Sequence, residues 1–291
     1  MRGQRSRAGS ARLGVQAVAH QSVRPSTDIV KKQPHLTSKW GQSPFLKKGQ
    51  SPFIDTVGAT PYAAAMPRIA RVVVPGLPHH VTQRGNNRQD VFFTDDDRHL
   101  YLRLLLENSK EFDLAVHGYC LMTNHVHLIA TPRRPESLAK AIGRAHFAYT
   151  RFINQHHGRN GHLWQNRFYS CLLDEPHLLA AMRYVERNPV RARIVRAPWR
   201  YPWSSAAAHC GEADEAGLLD LKWWATMVRP AHWKSMLGSR DGEDEEIIID
   251  RLRRHTATGR PLGTDRFVAK LEARLGRRLH ALPRGRPRPT K

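Results

Sequence analysis

Apolar residues recur at helical spacing in three segments of the chain. Residues 95–112 open with an acidic first turn and repeat leucines three and four positions apart, which predicts an amphipathic helix. Residues 137–156 repeat the pattern, with Ser137 as the predicted N-cap. Residues 175–192 form a third predicted helix, in which Pro189 should bend the helix or end its regular part because proline lacks an amide hydrogen.

Five segments have the composition of β-strands. They are rich in β-branched and aromatic residues and are separated by turn-forming residues: residues 71–74, 79–84, 115–122, 125–131 and 162–173. A tight turn joins the third and fourth segments, which predicts an antiparallel pair. Because strands alternate with helices, we expect an α+β protein with a ferredoxin-like antiparallel sheet, helices packed on one face and a helical C-terminal extension.

Composition divides the chain into three parts. Residues 1–65 hold 10 Lys/Arg but only two acids and show no periodicity. We interpret them as a disordered extension or as the product of a start codon placed too early; a transit peptide is the other interpretation. Residues 66–210 hold the predicted sheet and its chemistry. Residues 211–291 are predicted to form a basic, helical region that binds DNA and ends in a disordered tail, with a helix-turn-helix-like pattern over residues 247–278.

The chain is strongly basic. Its 47 Lys/Arg and 25 Asp/Glu give a formal net charge of +22 and a pI of about 10.8. Without residues 1–65, 37 basic and 23 acidic residues remain, so the net charge is still +14. This charge favours a polyanionic partner, since each neutralised phosphate releases counterions. By itself it does not distinguish DNA from RNA, the ribosome or an anionic membrane.

The cysteines and the longest apolar stretches indicate the cellular compartment in which the protein is expected. The three cysteines are far apart and form no CxxC pair, which argues against a disulfide framework or a cysteine zinc site. The apolar stretches fall short of the roughly 18–20 residues that span a bilayer. We recognise no secretory signal pattern. We therefore expect a cytoplasmic protein without a membrane partner.

The first candidate for chemistry is the sequence His125-Val126-His127 on a predicted strand. Strand side chains repeat every two residues, so His125 and His127 lie on the same face of the sheet. Two imidazoles on one face can chelate a divalent metal. Two ordinary histidines on a sheet surface would give the same pattern.

The second candidate pair is Tyr184 and Asn188. Residues four apart on a helix share a face, so the phenol and the amide should project together. Alternatively, Tyr184 is a core aromatic residue and Asn188 simply ends the helix before Pro189. Tyr149 and Tyr169 are rival nucleophiles, but neither is followed by an oxygen ligand four residues later on a helix.

Five sequence blocks together resemble a known family. They are residues 80–89 (HVTQRGNNRQ), 124–127 (NHVH), 161–168 (GHLWQNRF), 184–190 (YVERNPV) and 203–205 (WSS). In this order they are similar to the REP-associated tyrosine transposases, which belong to the single-strand insertion-sequence transposases of the HUH superfamily. The resemblance covers roughly residues 66–208, and this part is therefore expected to be an HUH transposase-like catalytic domain.

The resemblance implies a metal-dependent enzyme that cleaves and rejoins single-stranded DNA at hairpins of repeated palindromic elements. Tyr184 would be the nucleophile that forms a 5′-phosphotyrosine, and His125, His127 and the Asn188 side-chain oxygen would hold Mg²⁺ or Mn²⁺. A hard amide oxygen and open octahedral positions favour these metals over a closed zinc site. A phenol has a pKa of about 10 and needs help to react at neutral pH. The sequence does not reveal which group provides it.

The DNA contacts are expected in the loop after the first strand. Arg84, Asn86, Asn87 and Arg88 have the side chains that contact phosphates and bases, although a solvated turn would have the same composition. Two other classes of protein remain open. One is a DNA- or RNA-binding protein derived from a transposase without catalysis, and the other is a replication initiator or relaxase. The sequence leaves both a monomer and a homodimer open.

Overall fold

The computed structural model describes residues 71–239 and 242–281. The predicted N-terminal extension, residues 1–65, lies outside the described residues, as do residues 66–70 at the start of the predicted catalytic domain. The predicted disordered tail lies outside them from residue 282 onward.

The core of the structure is an antiparallel sheet of four strands in the order β2-β3-β1-β4. The strands are β1 (His79–Arg84), β2 (Leu114–Met122), β3 (His125–Pro132) and β4 (Tyr169–Leu172). Helix α1 (Asp95–Glu111) joins β1 to β2, and helix α2 (Ser137–His156) joins β3 to β4. This βαββαβ order confirms the predicted ferredoxin-like α+β fold.

Helices α1 and α2 pack side by side on one face of the sheet, as expected. Helix α1 starts with a capping box, in which the Thr94 hydroxyl accepts from the Asp97 amide and the Asp97 carboxylate accepts from the Thr94 amide. Val81, Val126 and Leu128 are fully buried beneath these helices. Because strand side chains alternate, the residues between them on β1 and β3, including His80 and His127, face the other way.

The opposite face of the sheet is also covered by helices. Helix α3 (Glu175–Glu186) packs on β2 and β3, and helix α8 (Glu243–Thr258) packs on β4 and β1. The remaining helices are α4 (Asn188–Arg191), α5 (Ala206–His209), α6 (Leu221–Met227), α7 (Pro230–Gly238) and α9 (Asp265–Leu275). Trp224 and Trp233 fill the core between these helices. Among the described helices, none is long and apolar enough to cross a membrane.

Three local predictions were wrong or too broad. Residues 71–74 form no strand; Val72 and Val74 are buried against side chains of α9 instead of pairing with the sheet. The predicted strand 162–173 is reduced to β4, because Asn166 adopts a left-handed backbone conformation with φ of 61°. Ser137 is the first residue of α2 and not its N-cap, and its hydroxyl accepts from the Arg134 amide in the preceding turn.

Candidate active site

The two histidines of the HxH sequence lie near the start of β3, a central strand of the sheet. Their ring centroids are 5.1 Å apart and their planes are nearly perpendicular, at 84°. His127 is buried and His125 is half-buried. The predicted common face is confirmed by this contact, since both rings lie on the side of the sheet opposite α1 and α2.

One nitrogen of each imidazole is held by a neighbouring side chain. His125 Nδ1 lies 2.6 Å from Asn124 Oδ1, and His127 Nδ1 lies 2.9 Å from His80 Nε2. Within residues 71–239 and 242–281, neither Nε2 atom has a hydrogen-bond partner. A histidine whose second nitrogen is oriented in this way is typical of metal ligands, because the hydrogen bond fixes the tautomer and the ring plane.

The hydrogen bonds continue from His127 to the C-terminal region. His80 Nδ1 lies 2.8 Å from the Thr256 hydroxyl, which in turn lies 3.2 Å from the Cys171 sulfur. Two proton arrangements satisfy these hydrogen bonds, and in one of them His127 Nδ1–H donates to His80 Nε2 while His80 Nδ1–H donates to the Thr256 oxygen. In that arrangement the His127 Nε2 lone pair is free.

Burial keeps these imidazoles neutral. Desolvation, with a smaller contribution from the nearby Arg84 guanidinium, lowers the pKa of His125 to about 4. Desolvation also lowers the pKa of His127 well below its ordinary value, with smaller contributions from His125 and His80. The neutral form is the one that can donate a lone pair to a metal ion.

Tyr184, on α3, lies directly beside the histidines. Its ring meets the His127 ring edge-on, with centroids 5.4 Å apart, and the centroid of His80 is 6.0 Å away. Two cations flank the phenol: the guanidinium carbons of Arg191 and Arg253 each lie 5.6 Å from the ring centroid. Arg253 Nε also donates to the phenol oxygen over 3.5 Å. The rival Tyr149 is fully buried and donates to the Val91 carbonyl, which leaves it without access to a substrate.

Asn188 is the first residue of α4 and follows Tyr184 by four positions. The regular part of α3 ends at Glu186, before Pro189, as the sequence predicted. Asn188 is half-buried, and its Nδ2 atom is buried without a hydrogen-bond partner in the described part of the chain. The unpaired Nδ2 can donate to an acceptor on a ligand, whereas the side-chain oxygen is the atom that could bind a metal ion.

The donor atoms present fit a divalent metal ion. The described residues contain no group of three or more His, Cys, Asp and Glu side chains that could hold one. Such an ion would therefore depend on His125, His127 and the Asn188 amide oxygen. Two neutral imidazoles with unpartnered Nε2 atoms, together with one amide oxygen, would make a partial ligand set that leaves coordination positions open.

The predicted DNA-contact residues form the end of β1 and the short 3₁₀ helix Asn86–Arg88. Arg84 is exposed and pairs in register with His125. Asn87 and Arg88 are exposed and adopt left-handed backbone conformations, with φ of 51° and 60°. The Asn124 amide donates to the Arg88 carbonyl over 3.2 Å. Since Asn124 also contacts His125, the turn is fixed beside the first histidine.

Three residues at the site were not predicted as parts of it. His80 appears in the sequence analysis only as the first residue of the block 80–89, and Arg253 and Thr256 were not singled out at all. A signal for His80 exists in the sheet register: His80 pairs with Ile129, so it is a diagonal neighbour of His127 on the same face. Arg253 and Thr256 come from α8 and have no local sequence signal.

Comparison with known proteins agrees with this geometry. Residues 73–188 match the sequence profile of the family "Transposase IS200 like". The match includes both histidines, Tyr184 and Asn188. It confirms the resemblance drawn from the motifs: residues 73–188 are similar to the IS200-like transposases.

Solved structures were also compared with the whole chain. One is a REP-associated tyrosine transposase bound to a REP hairpin, with 16% identity, a TM-score of 0.42 and coverage of 61% of this chain and 100% of its own. Another is a protein from Deinococcus radiodurans R1 assigned as a transposase, with 20% identity, a TM-score of 0.29 and coverage of 43% of this chain and 90% of its own. No curated protein sequence matches the chain. The family assignment therefore rests on residues 73–188.

Proposed function

We propose that this protein is an endonuclease and strand transferase for single-stranded DNA that works through a 5′-phosphotyrosine. The observation that carries the proposal is the edge-on contact of Tyr184 with His127, beside His125. This contact would put a tyrosine nucleophile next to two neutral imidazoles that can hold a metal ion. Tyr184 would be the nucleophile, and His125, His127 and Asn188 would hold Mg²⁺ or Mn²⁺.

The reaction follows from these positions. The Tyr184 oxygen attacks the phosphorus of the scissile phosphodiester, the new O–P bond forms, and the bond to the 3′ oxygen breaks. The phenol proton passes to water, and the leaving 3′ oxygen takes a proton to become a 3′-OH. A divalent ion held by His125, His127 and Asn188 would supply Lewis-acid polarisation of the phosphate. Attack by a 3′-OH on the phosphotyrosine reverses the step and joins two strands.

The substrate is proposed to be single-stranded DNA next to a hairpin of a repeated palindromic element. The sequence motifs and the net charge of +14 for residues 66–291 support a nucleic-acid substrate. Arg84 pairs in register with His125, and the turn that follows it holds the other three predicted contacts, Asn86, Asn87 and Arg88. These side chains would guide the strand toward the site. We propose that the protein acts on DNA in the cytoplasm.

The test is a cleavage assay on the full-length protein. Single-stranded DNA oligonucleotides with a hairpin flanked by single strands are incubated with Mn²⁺ or Mg²⁺ and resolved by denaturing electrophoresis. We expect a metal-dependent protein adduct on the 5′ end of the downstream fragment. Tyr184→Phe should abolish the adduct, and Tyr169→Phe, a change of the same chemistry on β4, should retain it.

The outcome separates two classes of protein. An adduct that survives Tyr184→Phe would refute the assignment of the nucleophile. DNA binding without any adduct, unaffected by a chelator, would identify a nucleic-acid-binding protein without catalysis.

A further inference from the structure

Helix α8 lies outside the matched segment 73–188 but reaches the candidate active site. Ile249, Leu252 and Thr256, spaced by three and four residues, are buried on one face of the helix. This face packs against β4, β1 and α3. The buried face of α8 is therefore part of the protein core.

The docked face brings two polar side chains to the site. Arg253 Nε donates to the Tyr184 phenol oxygen over 3.5 Å. Thr256, one turn later, lies 2.8 Å from His80 Nδ1, and His80 contacts His127. One side chain thus meets the proposed nucleophile, and the other meets the residue that orients a proposed metal ligand.

We propose that helix α8 completes the catalytic site: Arg253 contacts the phosphate that Tyr184 attacks, and Thr256 positions His127 through His80. This inference rests on the proposed function. It assigns a catalytic role to a residue of the C-terminal region, which the family match does not reach.

The chemistry of the guanidinium supports the role of Arg253. Phosphoryl transfer builds negative charge on the non-bridging oxygens, and a cation fixed in advance stabilises that charge. Arginine presents several N–H donors in a planar fork that matches phosphate geometry. Arg253 is held near Asp250, at 3.6 Å, while 52% of its side chain remains exposed. Because its Nε already lies at the attacking oxygen, its remaining donors can contact the phosphate.

Thr256 acts at a distance, as a positioning residue. When its oxygen accepts from His80 Nδ1–H, His80 Nε2 accepts from His127 Nδ1–H and His127 Nε2 keeps a free lone pair. Removing such an outer partner usually weakens metal binding by about 10–100-fold. The effect should therefore appear in metal affinity even without DNA.

Arg253 is tested by single-turnover adduct formation with the full-length protein, alongside its affinity for the same DNA. We expect Arg253→Gln to slow the reaction by about 10²–10³-fold while the DNA affinity changes little. Arg253→Lys should recover part of the rate because it keeps the charge but loses the fork. Arg254→Gln removes the same charge from an exposed neighbour on α8 and should retain the wild-type rate. If Arg253→Gln matches Arg254→Gln, the catalytic role is wrong.

Thr256 is tested by calorimetric titration of Mn²⁺ into the full-length protein without DNA. Thr256→Val keeps the shape and removes the hydroxyl, and we expect Mn²⁺ to bind about 10–100-fold more weakly. Thr258→Val is the control, because its hydroxyl bonds only to backbone carbonyls of the same helix. Equal Mn²⁺ affinities of Thr256→Val and wild type would refute the positioning role.

The two proposals fail in different ways. If the wild type forms no adduct on any hairpin substrate, the proposed function falls and this inference falls with it. If the wild type forms the adduct and all α8 variants behave like their controls, only the role of α8 is overturned.

Discussion

Trp233 donates its indole N–H to the Glu186 carboxylate over 2.8 Å, and both side chains are fully buried. The other carboxylate oxygen lies 2.6 Å from His209 Nδ1 and accepts from the Ser205 hydroxyl over 2.5 Å. Glu186 is the last residue of α3, two positions after Tyr184. The network therefore ties the end of the helix that carries the proposed nucleophile to α5 and α7.

Glu186→Gln should destabilise the fold. The glutamine keeps the size of the side chain but replaces the charge-assisted hydrogen bonds, which contribute about 1.5–3 kcal/mol each to stability. We expect a loss of about 2–4 kcal/mol in the free energy of unfolding, measured by urea denaturation. Glu107→Gln, on the exposed face of α1, is the control and should change little. A Glu186→Gln protein as stable as this control would show that the network contributes no net stability.

The sequence predicted the sheet well because the signals are local. Periodicity marked the long helices, and the tight turn at Asn124 fixed the β2–β3 pair and the common face of His125 and His127. The proximity of Tyr184 to His127 could be expected only from the family resemblance, since 57 positions of chain separate them.

The parts that were missed depend on tertiary packing. His80 joins the site through the register of β1 against β3, which periodicity alone does not set. Arg253 and Thr256 reach the site because α8 docks on the sheet, and their partners are 69 and 176 residues away along the chain. Ser137 shows a local failure: a serine at a helix start can bond the preceding turn as readily as cap the helix.

His146 should make stability depend on pH. It is buried between Tyr101, whose hydroxyl lies 2.9 Å from His146 Nε2, and the ring of Trp164. Desolvation lowers the pKa of His146 from 6.5 to about 3. The unfolded chain therefore binds a proton that the folded chain excludes, so stability falls as the pH drops below 6.5 and continues to fall to about 3.

Between pH 7 and pH 5, this single histidine should cost about 2 kcal/mol of stability. His146→Gln should show a shallower fall in urea-denaturation free energy over this range, whereas His232→Gln, at an exposed position of α7, should keep the wild-type slope. Parallel pH profiles of wild type and His146→Gln would rule out His146 as a source of the acid sensitivity.

Glu272 should stabilise the segment after α9, and this stabilisation should be lost at a more acidic pH than the contribution of His146. Its carboxylate accepts from the His280 amide over 2.9 Å and from the Leu279 amide over 2.5 Å. These bonds lower the pKa of Glu272 from 4.5 to about 2. The stabilisation is complete above pH 4.5 and is lost as the pH falls toward 2. Glu272→Gln should lower the melting temperature at pH 7 but not at pH 2, and an equal loss at both would point to a neutral hydrogen bond instead.

His127 should be needed for binding of Mn²⁺ by the protein. Its Nε2 has no partner within the described residues, and His127→Gln removes this donor while keeping a polar side chain. We expect calorimetry to show that the affinity for Mn²⁺ falls by at least about 100-fold, because one of the two imidazole ligands is removed. Mn²⁺ should also raise the melting temperature of the wild type, since a ligand that binds only the folded state stabilises it, and should leave that of His127→Gln unchanged. His162→Gln, at an exposed position far along the chain, is the control. If His127→Gln binds Mn²⁺ as tightly as this control does, the metal is held elsewhere and the proposed ligand set is wrong.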